Sequence, residues 1–344
     1  MTTLTVSRGR ENGMRVAPLP FARMGWVTWR QHRMALAGAA TLLGALALWL
    51  WIAGLHLHHA YAAVTACHPA SSYACGSMLG DFNNTYGRTG NLISALLQTV
   101  PALLGAFVGA PLLASELETG TFRYAWTQGF ERWRWALAKL VSLGVVVTIA
   151  AGAFSVLFSW YYQPFFSQGS QSPLSPLVFD LRGITFAAWT LAAFAIASLA
   201  GILIRRVVPA IVAALATYTG IAIATASLLR QHYLAPVVAR ALISPPASAW
   251  VIAKWWTKGG KFVFSGYPPQ VIQHQDCPPS VFGSGGPTPG QVMHCFAQHG
   301  YVQWVSYHPA RRFWAFQWIE GGWLLALSIL LIAATVWLVR RRVA

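Results

Sequence analysis

Residues 113–139 read LASELETGTFRYAWTQGFERWRWALAK, and they lie between two apolar runs of membrane length. The stretch holds Glu116, Glu118 and Glu131, three of the chain's eight acidic residues, together with Arg123, Arg132, Arg134 and Lys139. Over the whole chain charge is sparse, at 9% Asp, Glu, Lys and Arg. Charged groups near lipid are costly unless partnered, so a mixed-sign, aromatic-laced connector points to contact with another protein. The plainer reading is a solvated loop carrying topogenic positive charge. It accounts for the arginines and leaves the clustered glutamates without a role.

Working outward, six runs are long enough to span a bilayer: about Ala35–Leu55, Leu92–Leu113, Leu140–Trp160, Gly183–Ile204, Val207–Leu229 and Gln317–Val339. At ~1.5 Å rise per residue each covers ~31–35 Å, enough for the hydrocarbon core. The whole chain agrees: 344 residues, 56% hydrophobic, 17 tryptophans and a mean hydropathy of +0.50 mark an integral membrane protein. The net charge of +16 does not imply nucleic acid, because the basic residues sit at the edges of apolar runs. They are topology signals and contacts for membrane lipids.

Orientation follows from the short loops. Arg23, Arg30 and Arg33, the 114–139 connector, Arg205–Arg206 and Arg340–Arg342 all fall on one side, which the positive-inside rule makes cytoplasmic. The expected architecture is all-α, with six transmembrane helices and both termini inside. Residues 1–20 read as a disordered cytoplasmic tail, 21–34 as an amphipathic interfacial helix, and 35–344 as the six-span domain. Residues 230–316 form a large external loop before the last span, a proline-punctuated cap. Within it PVVARALISP and PASAWVIAKWWT, each too short to span, are expected to dip into the outer leaflet as short helices.

Cys67, Cys75, Cys277 and Cys295 all fall on the outer side, where disulfides persist. Four cysteines permit three pairings, and the local ones, Cys67–Cys75 and Cys277–Cys295, are expected. His274, His294 and His299 lie near the second pair, but their spacing matches no standard zinc finger, and no metal site is expected. Gly105 and Gly109 make a GxxxG that permits close helix packing. Trp49, Trp51, Trp160, Tyr161, Tyr162, Trp314 and Trp318 form an outer aromatic belt.

No GxxxxGK[ST] occurs, so the chain is not expected to hydrolyse nucleotide, and no catalytic residue is assigned. No span carries a charge near its middle, which argues against an ion-coupled carrier. Energy then has to enter from outside the chain, and the 114–139 connector is where it would enter.

On these features the chain resembles a permease subunit of an ABC transporter of the ABC-2 type, as found in actinobacteria. The resemblance rests on the six-span topology with its lead-in helix and on GAPLLASELETGTFRYAWTQGFERWRWALAKL, residues 109–140. It implies an exporter subunit in a bacterial cell membrane, working as a dimer with a second copy or homologue. ATP and Mg would be held by a separate ABC ATP-binding subunit, and no cofactor by this chain. The matching ATPase-coupling positions are Glu116, Glu118, Gly120, Thr121, Arg123, Trp126 and Gln128. Candidate lining groups of a substrate path are Gln98, Phe107, Thr217 and Tyr218, suited to an amphipathic or apolar natural product, drug or lipid. The alternative is a non-transporting sensor or immunity component that binds a ligand through the external cap.

The topology is directly testable. Single cysteines near 120, 205 and 342 should be labelled only from inside, and those near 80, 170 and 280 only from outside. Labelling of the Arg205–Arg206 loop from outside alone would overturn the six-span arrangement.

Overall fold

The computed structural model describes residues 21–69, 72–119, 132–240, 246, 248–278 and 289–342. Among them six helical stretches are long and apolar enough to cross a membrane: Leu36–Thr65, Tyr73–Glu116, Trp133–Ser167, Gly183–Ile204, Val207–His232 and Ala310–Arg341. These are called spans one to six below. The fourth coincides with its sequence expectation, and the others run longer, mainly at the end that carries the cap. The lead-in expected over 21–34 is not a separate element: one helix runs unbroken from Phe21 to Thr65.

Span two is not one helix. A π-turn at Asn83–Gly87 and a break at Gln98–Thr99 divide it. The break precedes Pro101, which has no N–H to donate and disfavours helical geometry in the residue before it. A tight turn from Thr99 N to Leu96 O carries the chain across. The outer piece and span three share an aromatic core that includes Phe82, Phe158, Tyr162 and Phe165.

Span four is the central helix and touches spans two, three, five and six. Its contact with the inner part of span two is backbone on backbone. A Cβ on Gly105 would lie 2.4 Å from Ala193 Cβ, and one on Gly109 would lie 2.6 Å from Phe194 O. Without a hydrophobic drive between helices in lipid, such small-residue contacts supply the dispersion energy that holds them. The GxxxG therefore faces span four.

The cap departs from expectation. Within the segments expected as two short helices, the described residues include strands instead: β1 (Val237–Arg240) and β2 (Trp250–Lys258), while residues 241–245 and 247 lie outside the described residues. With β3 (Lys261–Ser265) and β4 (Tyr301–His308) they make an antiparallel sheet in the order β1-β4-β2-β3. The deciding residues are Gly259 and Gly260, at φ of +59° and +79° between paired Lys258 and Lys261. Two consecutive left-handed glycines close a two-residue hairpin, and the flanking WVIAKWWTK and KFVFS are rich in β-branched and aromatic residues. Trp256, Phe264, Phe296 and Tyr301 pack with the disulfide Cys277–Cys295 in a small core of the cap's own. The second disulfide, Cys67–Cys75, ties the end of span one to the start of span two.

Replacing Gly105 by Leu should wedge spans two and four apart. The expected loss is ~1–3 kcal/mol or more, seen as a lower melting temperature in detergent. Gly220→Leu, where a Cβ meets nothing within 4 Å, should leave melting unchanged.

Candidate functional site

Two clusters of charge sit at opposite ends of the bundle. At the connector end, Lys139 near the start of span three is buried, and its ammonium donates to Glu116 Oε1 at 2.5 Å. The Trp135 ring lies 4.1 Å from the same ammonium. Glu116 ends span two and keeps 15% of its side chain accessible. Two residues on, the exposed Glu118 accepts from the backbone N–H of Val207 at 3.1 Å. Val207 opens the helix of span five, whose first N–H groups have no partner within the helix and whose positive dipole end favours a carboxylate. The roots of the connector are thus tied to spans three and five. Gly120, Thr121, Arg123, Trp126 and Gln128, expected to couple to an ATPase, lie outside the described residues.

At the cap end, Arg230 near the end of span five is fully buried. Its Nε donates to Glu320 Oε2 at 3.0 Å and its Nη2 to Glu320 Oε1 at 2.8 Å, a two-pronged pair. The same Nη2 also bonds Asp180, which precedes span four. Glu320, inside span six, further accepts from Trp189 Nε1 at 2.9 Å and from the Tyr233 hydroxyl at 3.1 Å. Phe179 covers the guanidinium at 4.4 Å. One arginine faces two carboxylates here. Burial pushes the Asp180 carboxyl up to about 7, with Arg230 opposing the rise and Glu320 adding to it. A carboxyl raised by folding stabilises the fold fully below its ordinary range, and that contribution is lost as pH rises through about 7.

The sequence does not single out this cluster, because Arg230 reads as the first residue of a long loop and Asp180 as an ordinary loop acid. The available signal is placement: Glu320 is an acid within an apolar run, and Asp180 and Arg230 stand at the edges of two others.

The four candidate path residues have different surroundings. Gln98 donates its amide to Pro176 O and Leu177 O at 2.8 and 2.9 Å, bracing the break in span two. Tyr218 is buried edge-on against Trp189. Thr217 donates to Ala213 O within its own helix. Phe107 is exposed and lines a groove of about 320 Å³ with Gly38, Leu42 and Leu103. In the cap, Cys277, Cys295 and His299 lie within 4.8 Å of one another, but the cysteines are joined in a disulfide and offer no thiolate to a metal.

The fold and its paired charges define a multi-pass helical membrane protein with a folded cap on one side and a charged connector on the other. A family model described as ABC-2 membrane transporter related matches residues 40–230, more than half of the chain. The chain belongs to that family, as an ABC-2 type permease. The match ends at Arg230, so the cap and span six lie beyond it. Neither the curated proteins nor the solved structures yield a match.

Arg230→Met should leave the buried Glu320 and the partly buried Asp180 facing each other and cost ~3–5 kcal/mol. Asp180→Asn should instead flatten the fall in melting temperature between pH 5 and 8. Melting curves of the two variants and the parent across that range check both.

Proposed function

We propose that the chain is the membrane-spanning subunit of an ATP-driven exporter, which moves an amphipathic or apolar substrate outward using a separate ABC ATP-binding subunit. The observation that supports this most is the tethering of the connector's roots. Glu116 on Lys139 and Glu118 on Val207 link residues 119–132 to spans two, three and five, so a push on the connector would be passed to three spans. Membership of the family implies association with an ATP-binding subunit. Two permease copies, or one copy and a homologue, would enclose the path. Apolar walls without a fixed mid-membrane charge suit an apolar or amphipathic cargo rather than an ion.

In this reading the glutamates of the connector divide by role. Glu116 is a positioning residue, since its partner is inside the chain. Glu118 anchors the start of span five, and Arg123, Trp126 and Gln128 are the groups proposed to meet the ATPase. A second reading, a ligand sensor, draws support from the cap, which has its own sheet, core and disulfide.

The test is co-purification with the ATP-binding subunit together with substrate-stimulated ATPase activity in membranes, at matched expression. Arg123→Ala or Trp126→Ala should weaken association by about thirtyfold, the ~2 kcal/mol typical of an interface anchor. Glu118→Ala should lower the coupling of hydrolysis to transport while binding persists. Parent-like binding and transport in all three variants would refute the coupling role.

A further inference from the structure

Between spans three and six, at the connector end, lies a groove of about 580 Å³. Its walls are Leu137 and Val141 on one side and Ile329, Ile332 and Val336 on the other, and Trp133, Trp337 and Arg340 stand at its mouth. Along span three it runs from residue 133 to 141, and along span six from 329 to 340. At ~1.5 Å per residue these are ~12 and ~16 Å, the depth of one leaflet's hydrocarbon, which is about half of ~30 Å. The groove is therefore as deep as one acyl chain and no deeper.

Its mouth is cationic. Arg340 is exposed and lines it directly. Arg341 lies over the Trp337 ring at 4.7 Å. Among the described residues no acidic side chain lines the groove. By the distribution of positive charge this end faces the cytoplasm, where the leaflet carries the anionic lipids.

We infer that this groove is a binding site for one anionic phospholipid of the cytoplasmic leaflet. An acyl chain lies between spans three and six, and the phosphodiester sits against Arg340 between the two tryptophans. The charge match selects the headgroup, since a zwitterionic lipid fills the apolar part equally well but brings no net negative charge to the arginines. The site is separate from the tethered roots of the connector, yet it joins span three, where the connector ends, to span six. Bound lipid would set how freely those two spans slide.

The full-length chain, stripped of lipid in mild detergent, is incubated with phosphatidylglycerol or with phosphatidylcholine of the same acyl chains. Bound lipid is counted by native mass spectrometry. The parent should hold phosphatidylglycerol about tenfold more than phosphatidylcholine. Arg340→Gln should cut phosphatidylglycerol binding about fivefold and leave phosphatidylcholine unchanged. Ala333→Phe, at an exposed groove position, should lower both. Arg311→Gln, exposed at the opposite end of span six, should lower neither. Equal binding of the two lipids by the parent would overturn the inference. So would parent-like phosphatidylglycerol binding by both the Arg340 and Ala333 variants.

Discussion

A charge inside the bundle has to bring its counter-charge with it, and that requirement organises this protein at both ends. Arg230 has no accessible surface and draws in Glu320 from span six and Asp180 from the turn before span four. Removing Arg230 strands two carboxylates and removing Glu320 takes away the arginine's two-pronged partner, so the cluster fixes three elements whose sequence positions are far apart. Lys139 and Glu116 do the same at the connector end. Between these two ends close packing joins spans two and four. The absent side chains of Gly105 and Gly109 let spans two and four meet along their backbones. Electrostatics thus sets which helix ends are neighbours, and small residues set how closely the helices lie.

Much of this was legible in the sequence, and the parts that were not have physical reasons. The spans follow from apolar length, which lipid makes a strict signal because no backbone group can be left unsatisfied in it. The GxxxG surface and the local disulfides needed only spacing and the expected side of the membrane. PVVARALISP and PASAWVIAKWWT look like short helices only by length and apolarity, the signals that matter in lipid. Outside lipid the relevant signals are the Gly259-Gly260 turn and the β-branched and aromatic residues on either side of it, and they specify a hairpin. The Arg230 cluster is not legible in the sequence, because pairing between residues 50 and 90 positions apart leaves no local pattern.

The polar candidates for the path have partners inside the chain. Gln98 and Tyr218 have structural employment inside the chain, and Thr217 bonds its own helix. Glu116, read from sequence as a contact for a partner, has its partner at Lys139. This moves the proposed coupling surface away from the glutamates and onto the aromatic and basic residues between them. In that proposal the roots act as tethers, and a force applied to the connector would reach spans two, three and five together.

The central claim is that residues 120–131 meet an ATP-binding subunit. Site-specific photo-crosslinking tests it most directly, with a photoreactive amino acid at position 123, 126 or 128 in membranes that contain the full chain and that subunit. The account predicts an adduct between the two polypeptides from these positions, changed in yield when ATP is trapped, and none from position 262 in the cap. Absence of the adduct from all three connector positions, with the two proteins co-expressed and the chain inserted, would contradict it.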